Sequence, residues 1–247
     1  MKKIYILPNL VTTANMFCGF YSVVLATQGR FKEAAFSVLV AGIFDALDGR
    51  IARLARATSS FGVEYDSLSD IISFGFAPAF LVYQWSTEPL GRIGLIASFL
   101  YLACAALRLA RFNVNSATLN KAYFQGMPSP IAAGFLVSFI IFCDAVGWYQ
   151  GRSLSTVAFV LTILCGAAMV STIPFPSYKE VSWRSKASFG YLMTGMIAVF
   201  AIAIEAELMM FSVLFTYTFG SLLIYSLKLI QGRAPKLQEN KPPVPIP

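Results

Sequence analysis

The chain contains no histidine among its 247 residues. That absence excludes catalysis built on an imidazole, such as Ser-His-Asp and Cys-His sites, and it excludes histidine-built metal centres. Four cysteines are present, but they are far apart in apolar stretches and form no CxxC pair, so a zinc site is not expected. Charged residues are also scarce, at 13%. The groups that remain available for catalysis are carboxylates, hydroxyls, Lys or Arg, and metal ions bound by oxygen.

Hydrophobic residues make up 57% of the chain, well above the roughly 45–50% of a soluble domain. A soluble fold of this length could not bury so much apolar surface. Disorder of most of the chain is also excluded, because disordered segments have low hydrophobicity and high charge. About eight apolar segments are each near the ~20 residues that a helix needs to cross a bilayer. They are 8–28, 34–53, 67–85, 92–110, 130–149, 154–173, 188–205 and 207–228. Because a spanning segment must satisfy its own backbone hydrogen bonds, we predict an all-α transmembrane bundle over residues 1–231.

Positive charge predicts the orientation of this bundle. The chain has nineteen Lys and Arg and twelve Asp and Glu, which gives a net charge of +7. If the N-terminus is cytoplasmic and the segments alternate, fifteen of the nineteen cations lie inside and four outside, as the positive-inside rule requires. We therefore expect both termini in the cytoplasm, with 232–247 as a disordered tail. The excess charge indicates contact with anionic membrane lipids, and no nucleic-acid partner is expected.

Four of the five aspartates are packed into 26 residues. Asp45 and Asp48 are three residues apart near the predicted cytoplasmic end of the second segment, and Asp66 and Asp70 are four apart at the start of the third. Either spacing places two carboxylates on one helix face. Antiparallel neighbouring helices would bring the two pairs together, where they repel unless cations offset the charge. Nearby arginines are one source of positive charge, but oxygen ligands without nitrogen or sulfur match Mg²⁺, Mn²⁺ or Ca²⁺ better.

The residues around the aspartates are typical of a phosphate site. Gly49 follows Asp48 directly and removes a side chain, so that a ligand can approach the backbone. Ala52 keeps the same face open one turn later, and Arg53 can reach a phosphate as a planar fork. Gly62 is expected in the turn before Asp66, where it caps or bends the chain.

The stretch as a whole resembles the signature of the CDP-alcohol phosphatidyltransferase family, D-x-x-D-G-x-x-A-R-x8-G-x3-D-x3-D. All eight fixed positions are present with every spacing kept. They are Asp45, Asp48, Gly49, Ala52, Arg53, Gly62, Asp66 and Asp70. The wider resemblance covers roughly residues 5–175, and it implies an integral-membrane enzyme with a six-helix catalytic core that forms a homodimer.

The resemblance also implies a reaction. Members of the family use an alcohol to attack the β-phosphate of a CDP-linked lipid, here CDP-diacylglycerol, and release CMP. By carry-over, the four aspartates would bind two divalent ions, Mg²⁺ or Mn²⁺, and Asp70 would also act as general base. Family positions that contact the CDP-lipid, together with two residues of the opening PNLVTTANMFCGF, give a candidate set for nucleotide and lipid binding. This set is Asn9, Thr12, Gly49, Ala52, Arg53, Ser59 and Gly62.

Two further stretches, RLARFNV and FQGMPSP, resemble the branch of the family whose acceptor is L-serine. Arg111 could then pair with the serine carboxylate and Asn113 with the zwitterion, while Arg108 and Ser129 complete the candidate site. Two alternatives stay open at this stage. The arginines are equally well explained as positive-inside anchors, and the Gly-Met-Pro-Ser-Pro run as a helix-entry turn.

Other functions also remain possible from the sequence. The acceptor could instead be glycerol 3-phosphate, inositol phosphate or choline, with the same chemistry at phosphorus. A more distant alternative is an ion-coupled transporter. Transporters carry acidic residues near the bilayer midplane and often show inverted repeats, whereas here the acids cluster at one boundary and no repeat is visible.

Overall fold

The computed structural model of the protein describes residues 6–54, 59–115, 123–148, 151–176 and 205–230. Within these ranges the chain is a bundle of helices with one short β-ribbon, in which β1 and β2 pair antiparallel. The helices are α1 (Ile6–Thr27), α2 (Phe31–Leu54), α3 (Ser60–Asp70), α4 (Ala77–Val82), α5 (Arg92–Asn115), α6 (Ser129–Ala145), α7 (Arg152–Val170) and α8 (Ala206–Ile230). The strands are β1 (Tyr123–Gln125) and β2 (Pro174–Pro176).

The prediction of an all-α membrane bundle is confirmed. Seven of the eight apolar segments coincide with helices, whereas residues 188–204 and the tail at 232–247 lie outside the described residues. The helical stretches Pro8–Thr27, Arg92–Val114 and Arg152–Val170 are long and apolar enough to cross a bilayer. Large apolar side chains such as Phe20 and Phe99 are exposed on the outer faces of α1 and α5, where lipid rather than water can cover them.

The third predicted segment begins earlier than its hydropathy indicated. The helix starts at Ser60, seven residues before the predicted boundary, because its first two turns alternate Phe61, Val63 and Tyr65 with polar residues and glycine and form no continuous apolar run. Ser59 caps it, since its Oγ accepts a hydrogen bond from the Gly62 N–H at 3.0 Å. Gly62 therefore lies in the first helical turn rather than in a preceding loop, and Asp66 is already inside the helix.

Beyond Asp70 the chain stays helical but changes its winding. A wider π-helical stretch, Ile71–Phe76, leads into α4, and a second one, Tyr83–Thr87, is followed by a 3₁₀ turn. Such stretches disturb the regular i to i−4 hydrogen bonding of the backbone. In the first of them the Phe74 carbonyl accepts a hydrogen bond from the buried Tyr101 hydroxyl at 3.1 Å, which ties the widened stretch to α5.

Helix α6 forms the centre of the bundle. Most of its residues are buried, and it contacts α2, α4, α7 and α8. At the end opposite the aspartates, Lys32 near the start of α2 bridges Asp144 of α6 at 2.8 Å and Glu207 of α8 at 2.9 Å. Hydrogen bonds to Asp144 and Glu207 raise the pKa of Lys32, so its ammonium stays charged. This ion cluster fastens α8 to the rest of the bundle.

Helix α1 lies against both α2 and the helical stretch that begins at Ser60. Ser22 donates to the Ala34 carbonyl of α2 at 2.9 Å, and Ser37 of α2 donates to the Cys18 carbonyl at 2.7 Å. On the other side, Gly19 is so close to Ser73 that an added Cβ would lie 2.7 Å from the Ser73 Cα atom. The two backbones therefore approach each other only because position 19 has no side chain.

We predict that Gly19→Ala destabilises the protein by roughly 1–3 kcal/mol, because the obstructing atom belongs to the backbone and the helices must separate. The matched control is Gly42→Ala on α2, whose added Cβ would meet only Phe74 Cε1 at 3.9 Å. That control should be neutral or stabilising by about 0.5–1 kcal/mol, since alanine is the better helix former. Thermal unfolding of the detergent-purified variants measures both, and equal midpoints would contradict the prediction.

Candidate active site

The two aspartate pairs meet at one end of the bundle. Asp45 and Asp48 lie near the C-terminal end of α2, and Asp66 and Asp70 lie on α3, which follows after a short connection. One ligand atom each from Asp45, Asp48 and Asp66 lies within 4.8 Å of the other two. Asp70 lies one turn further along α3, and is 9% exposed. The convergence expected from the helical spacings is therefore present.

This concentration of carboxylates is electrostatically unfavourable by itself. Asp70 is repelled by Asp45, Asp66 and Asp48, and Asp48 is buried. Among the described residues, no Lys or Arg forms an ion pair with Asp48, Asp66 or Asp70. The Oδ1 atom of Asp66 is buried with no hydrogen-bond partner in the described part of the chain. Several aspartate oxygens thus face one another, with neither histidine nor cysteine in the cluster, and this donor set can hold a hard divalent cation.

Helix α1 supplies hydrogen bonds to both pairs. The Thr12 hydroxyl lies 3.0 Å from Oδ2 of Asp48, to which it donates, and 3.2 Å from the Pro8 carbonyl. The Asn15 side-chain amide donates to Oδ1 of Asp70 at 3.3 Å. Each pair is therefore contacted by a different residue of α1, three positions apart and on one face of that helix.

The contacts between α1 and α3 continue along both helices. Ser69 donates through its hydroxyl to the Thr12 carbonyl at 3.0 Å, and Ser73, in the π-helical stretch, donates to the Asn15 carbonyl at 2.9 Å. The hydroxyl of Tyr65 is hydrogen-bonded to that of Thr13 at 2.8 Å. These bonds fix the position of α3 along α1, and with it the depth of its two aspartates.

The candidate residues for CDP-lipid binding fall into three groups. Asn9, Ser59 and Gly62 lie together, because an added Cβ at position 62 would meet Ser59 Oγ at 3.2 Å and Asn9 Oδ1 at 3.7 Å. Thr12 lies at the cluster, but its hydroxyl is engaged by Asp48. Gly49, Ala52 and Arg53 lie in the last turns of α2, and the side chains of Ala52 and Arg53 lie outside the described residues.

The candidate residues for serine binding differ in their surroundings. Arg111 donates to four carbonyls, those of Gln125, Met169, Val170 and Ser171, at 2.8–3.3 Å. Three of these carbonyls belong to the C-terminal end of α7, where helix carbonyls lack partners of their own. Arg111 therefore joins the end of α7 to the last residue of β1. Asn113 instead exchanges hydrogen bonds with Ser67 of α3 at 2.9 and 3.3 Å.

Arg108 and Ser129 form a different arrangement. Arg108 is 8% exposed, and its Nη1 donates to the buried Ser129 hydroxyl at 2.8 Å. Its Nε is buried without a partner among the described residues, and no described carboxylate forms an ion pair with it. Arg108 also attracts Asp70 electrostatically. A buried guanidinium with an unused donor, close to the aspartates, can bind an anionic group.

The sequence interpretation missed Asn15, although a signal was present. Polar residues recur along α1 at intervals of three and then seven positions, at Asn9, Thr12, Asn15 and Ser22, in a mostly apolar helix. That period places them on one face. A buried polar stripe on a membrane helix requires partners on its neighbours, and Thr12, Asn15 and Ser22 all have them here.

Comparison with known proteins gives a consistent result. The family model described as CDP-alcohol phosphatidyltransferase matches residues 5–218. A Helicobacter pylori protein named CDP-diacylglycerol–serine O-phosphatidyltransferase is 36% identical over 206 residues, covering 83% of this chain and 86% of its own. A Methanocaldococcus jannaschii protein of the same name is 37% identical, with coverage of 72% and 77%. An archaetidylserine synthase of Methanothermobacter thermautotrophicus is 36% identical, covering 69% of both chains.

The repulsion within the aspartate cluster has a measurable consequence. We predict that Asp66→Asn raises the thermal midpoint in EDTA, because one charge of the cluster is removed. The same variant should gain little from Mg²⁺ or Mn²⁺, whereas the unsubstituted protein should gain about 3–4 kcal/mol at 100–1,000 times the dissociation constant. Glu64→Gln removes an equal charge from an exposed position of the same helix and should behave like the unsubstituted protein. Equal stabilisation of Asp66→Asn by the metal would contradict a metal-binding cluster.

Proposed function

Because this chain belongs to the CDP-alcohol phosphatidyltransferase family, and is therefore an enzyme of phosphoryl-group transfer, we propose that it uses L-serine as its acceptor. The reaction would transfer the phosphatidyl group of CDP-diacylglycerol to the serine hydroxyl and give phosphatidylserine and CMP. The observation that carries the phosphatidyl transfer is the cluster of Asp45, Asp48 and Asp66 with ligand atoms within 4.8 Å, with Asp70 one turn further along α3.

Serine is favoured as the acceptor by two independent arguments. The bacterial and archaeal relatives carry names with serine as the acceptor, although one of them is named for an archaeal lipid. In this chain, the buried Arg108, which donates to Ser129, offers a cation for the serine carboxylate and argues against choline, which has no anionic group. Glycerol 3-phosphate, inositol phosphate and choline remain as competing acceptors in the assay below.

The aspartate cluster fits two divalent ions, Mg²⁺ or Mn²⁺, because every available ligand is a carboxylate oxygen. Asp45, Asp48, Asp66 and Asp70 would hold them. When bound, such ions neutralise the cluster and stabilise negative charge on the pyrophosphate and on the departing CMP. The remaining contributions come from the protein's own side chains.

Asp70 serves as the general base. Its carboxylate takes the proton of the serine hydroxyl while the hydroxyl oxygen forms a bond to the β-phosphorus of CDP-diacylglycerol. The bond between that phosphorus and the oxygen bridging to the α-phosphate breaks in the same displacement, and CMP leaves with that oxygen. Burial of Asp70 excludes bulk water, which would otherwise compete with serine for the phosphorus.

The CDP-lipid would occupy the side of the cluster formed by the start of α3 and the end of α2. Asn9, Ser59 and Gly62 border this side, and Gly49 allows close approach next to Asp48. Ala52 and Arg53 follow on α2, with Arg53 assigned to a phosphate. Thr12 would act on the nucleotide side only indirectly, since its hydroxyl is directed at Asp48.

We place the site and both termini on the cytoplasmic side. The charge distribution along the chain supports this orientation, since fifteen of nineteen cations fall on that side. Serine is water-soluble, and CDP-diacylglycerol presents its nucleotide at the membrane surface. The membrane boundary is therefore where the two substrates meet.

The proposed reaction predicts serine-dependent release of CMP by the purified protein. CDP-diacylglycerol in mixed micelles would be offered with L-serine, glycerol 3-phosphate, inositol phosphate or choline, and CMP measured by chromatography. Only serine should support turnover, and EDTA should abolish it. Asp70→Asn should lower kcat by roughly 100-fold or more, because the proton acceptor is lost. Near-normal activity of Asp70→Asn would exclude it as the base, and turnover with another alcohol would reassign the acceptor.

The acceptor site predicts a selective defect in Arg108→Met. Losing a charge-assisted hydrogen bond is worth about 1.5–3 kcal/mol, so the KM for serine should rise roughly 10- to 100-fold while that for CDP-diacylglycerol changes little. The unsubstituted enzyme should also prefer serine strongly over ethanolamine, which lacks the carboxylate, and Arg108→Met should lose that preference. The control is Arg92→Met, at the opposite end of the same helix. A variant that keeps the preference for serine would exclude Arg108 from carboxylate binding.

A further inference from the structure

Asn15 is in an unusual position for a polar residue of a membrane helix. Its side chain is 0% exposed, and it points from the middle of α1 towards α3. Its amide nitrogen lies 3.3 Å from Oδ1 of Asp70, and among the described residues it is the one side chain that hydrogen-bonds to that carboxylate. The orientation of the amide follows from chemistry, because a carboxylate accepts hydrogen bonds and the group facing it must be the donor.

Hydrogen bonds from residues on either side of Asp70 hold the backbone of α1 next to it. Ser69 and Ser73, which flank Asp70 on the same helical stretch, donate to the Thr12 and Asn15 carbonyls at 3.0 and 2.9 Å. The distance between the α1 backbone and Asp70 is therefore set by bonds one residue before and three residues after it. Asn15 cannot withdraw from Asp70 without breaking this packing.

The oxygen of the Asn15 amide makes no hydrogen bond to the described part of the protein. Its Oδ1 is buried and has no hydrogen-bond partner among the described residues. Leaving a buried acceptor unpaired is unfavourable, and an apolar side chain of similar size would fill the same space without that cost. Packing alone therefore does not account for an asparagine here, whereas the bond to Asp70 does.

We propose that Asn15 is a positioning residue for the transfer reaction, which holds Oδ1 of Asp70 so that Oδ2 is the oxygen presented to the acceptor hydroxyl. The amide bond to Oδ1 restricts rotation of the carboxylate plane and occupies one of its two oxygens. This inference rests on the proposed role of Asp70. Thr12 makes the corresponding contact to Asp48 of the other pair, so α1 carries one such donor for each pair.

The first experiment compares Asn15→Leu with Ser22→Ala. Ser22 is a fully buried residue of the same helix. Its replacement by alanine removes a hydrogen bond to the Ala34 carbonyl of α2, which is remote from the aspartate cluster. Asn15→Leu should lower kcat by roughly 10- to 100-fold, as supporting residues of metal sites do, with both KM values changed less than about 3-fold. Mn²⁺ affinity without substrates, measured by electron paramagnetic resonance, should weaken by about 10-fold. Ser22→Ala should lower only the thermal midpoint.

A second experiment tests whether Asn15 acts through Asp70. In an Asp70→Asn background the carboxylate is absent, so adding Asn15→Leu should cause no further loss of kcat or of Mn²⁺ affinity. If Asn15→Leu fails to fold, Asn15→Ala, which adds no bulk, takes its place in both experiments. The proposal is overturned if the folded Asn15 variant keeps normal kcat and Mn²⁺ affinity. It is also overturned if the losses caused by the Asn15 and Asp70 substitutions multiply in the double variant. The Mn²⁺ measurements need no turnover, so they test Asn15 even where serine-dependent CMP release fails.

Discussion

The structure depends on holding like charges together in a membrane. Four carboxylates from two helices converge at one end of the bundle, and their mutual repulsion would separate the helices if nothing opposed it. The opposition comes from α1, which lies against both helices and contacts one carboxylate of each pair through Thr12 and Asn15. Its backbone is in turn fixed to the third helical stretch by Ser69 and Ser73. The acidic cluster exists because a third helix keeps it assembled.

Much of this arrangement could be predicted from the sequence, because it depends on local spacing. The intervals within each aspartate pair fix which faces carry carboxylates, and a short connection makes the two helices neighbours. Hydropathy likewise locates most of the helices. It misplaced the start of the helix at Ser60, because a helix whose first turns mix apolar and polar residues has no continuous apolar run. The capping of that helix by Ser59 is local, but nothing in the pattern separated a cap from a ligand contact.

The contacts that were not predicted join residues far apart in the chain. Asn15 meets Asp70 across 55 positions, and Arg111 meets the end of α7 across about 60. Both depend on how helices pack, which spacing within one helix cannot give. The sequence offers Arg111 for the serine carboxylate, whereas its N–H groups donate to backbone carbonyls. Among the residues that the structure describes, Arg108, about one turn earlier on α5, is the arginine whose buried Nε has no hydrogen-bond partner.

The polar face of α1 also bears on how the protein enters the membrane. With a mean hydropathy of 1.4, α1 is less apolar than the spanning parts of α5 and α7, at 2.0 and 2.1. It is synthesised before α2 and before the helix that begins at Ser60, so the acceptors of its hydrogen bonds on those helices are not yet present. In a bilayer, the side chains of Thr12, Asn15 and Ser22 would then face lipid. Full burial of this polar face therefore waits on the next two helices, and the aspartate cluster is assembled in the same step that covers it.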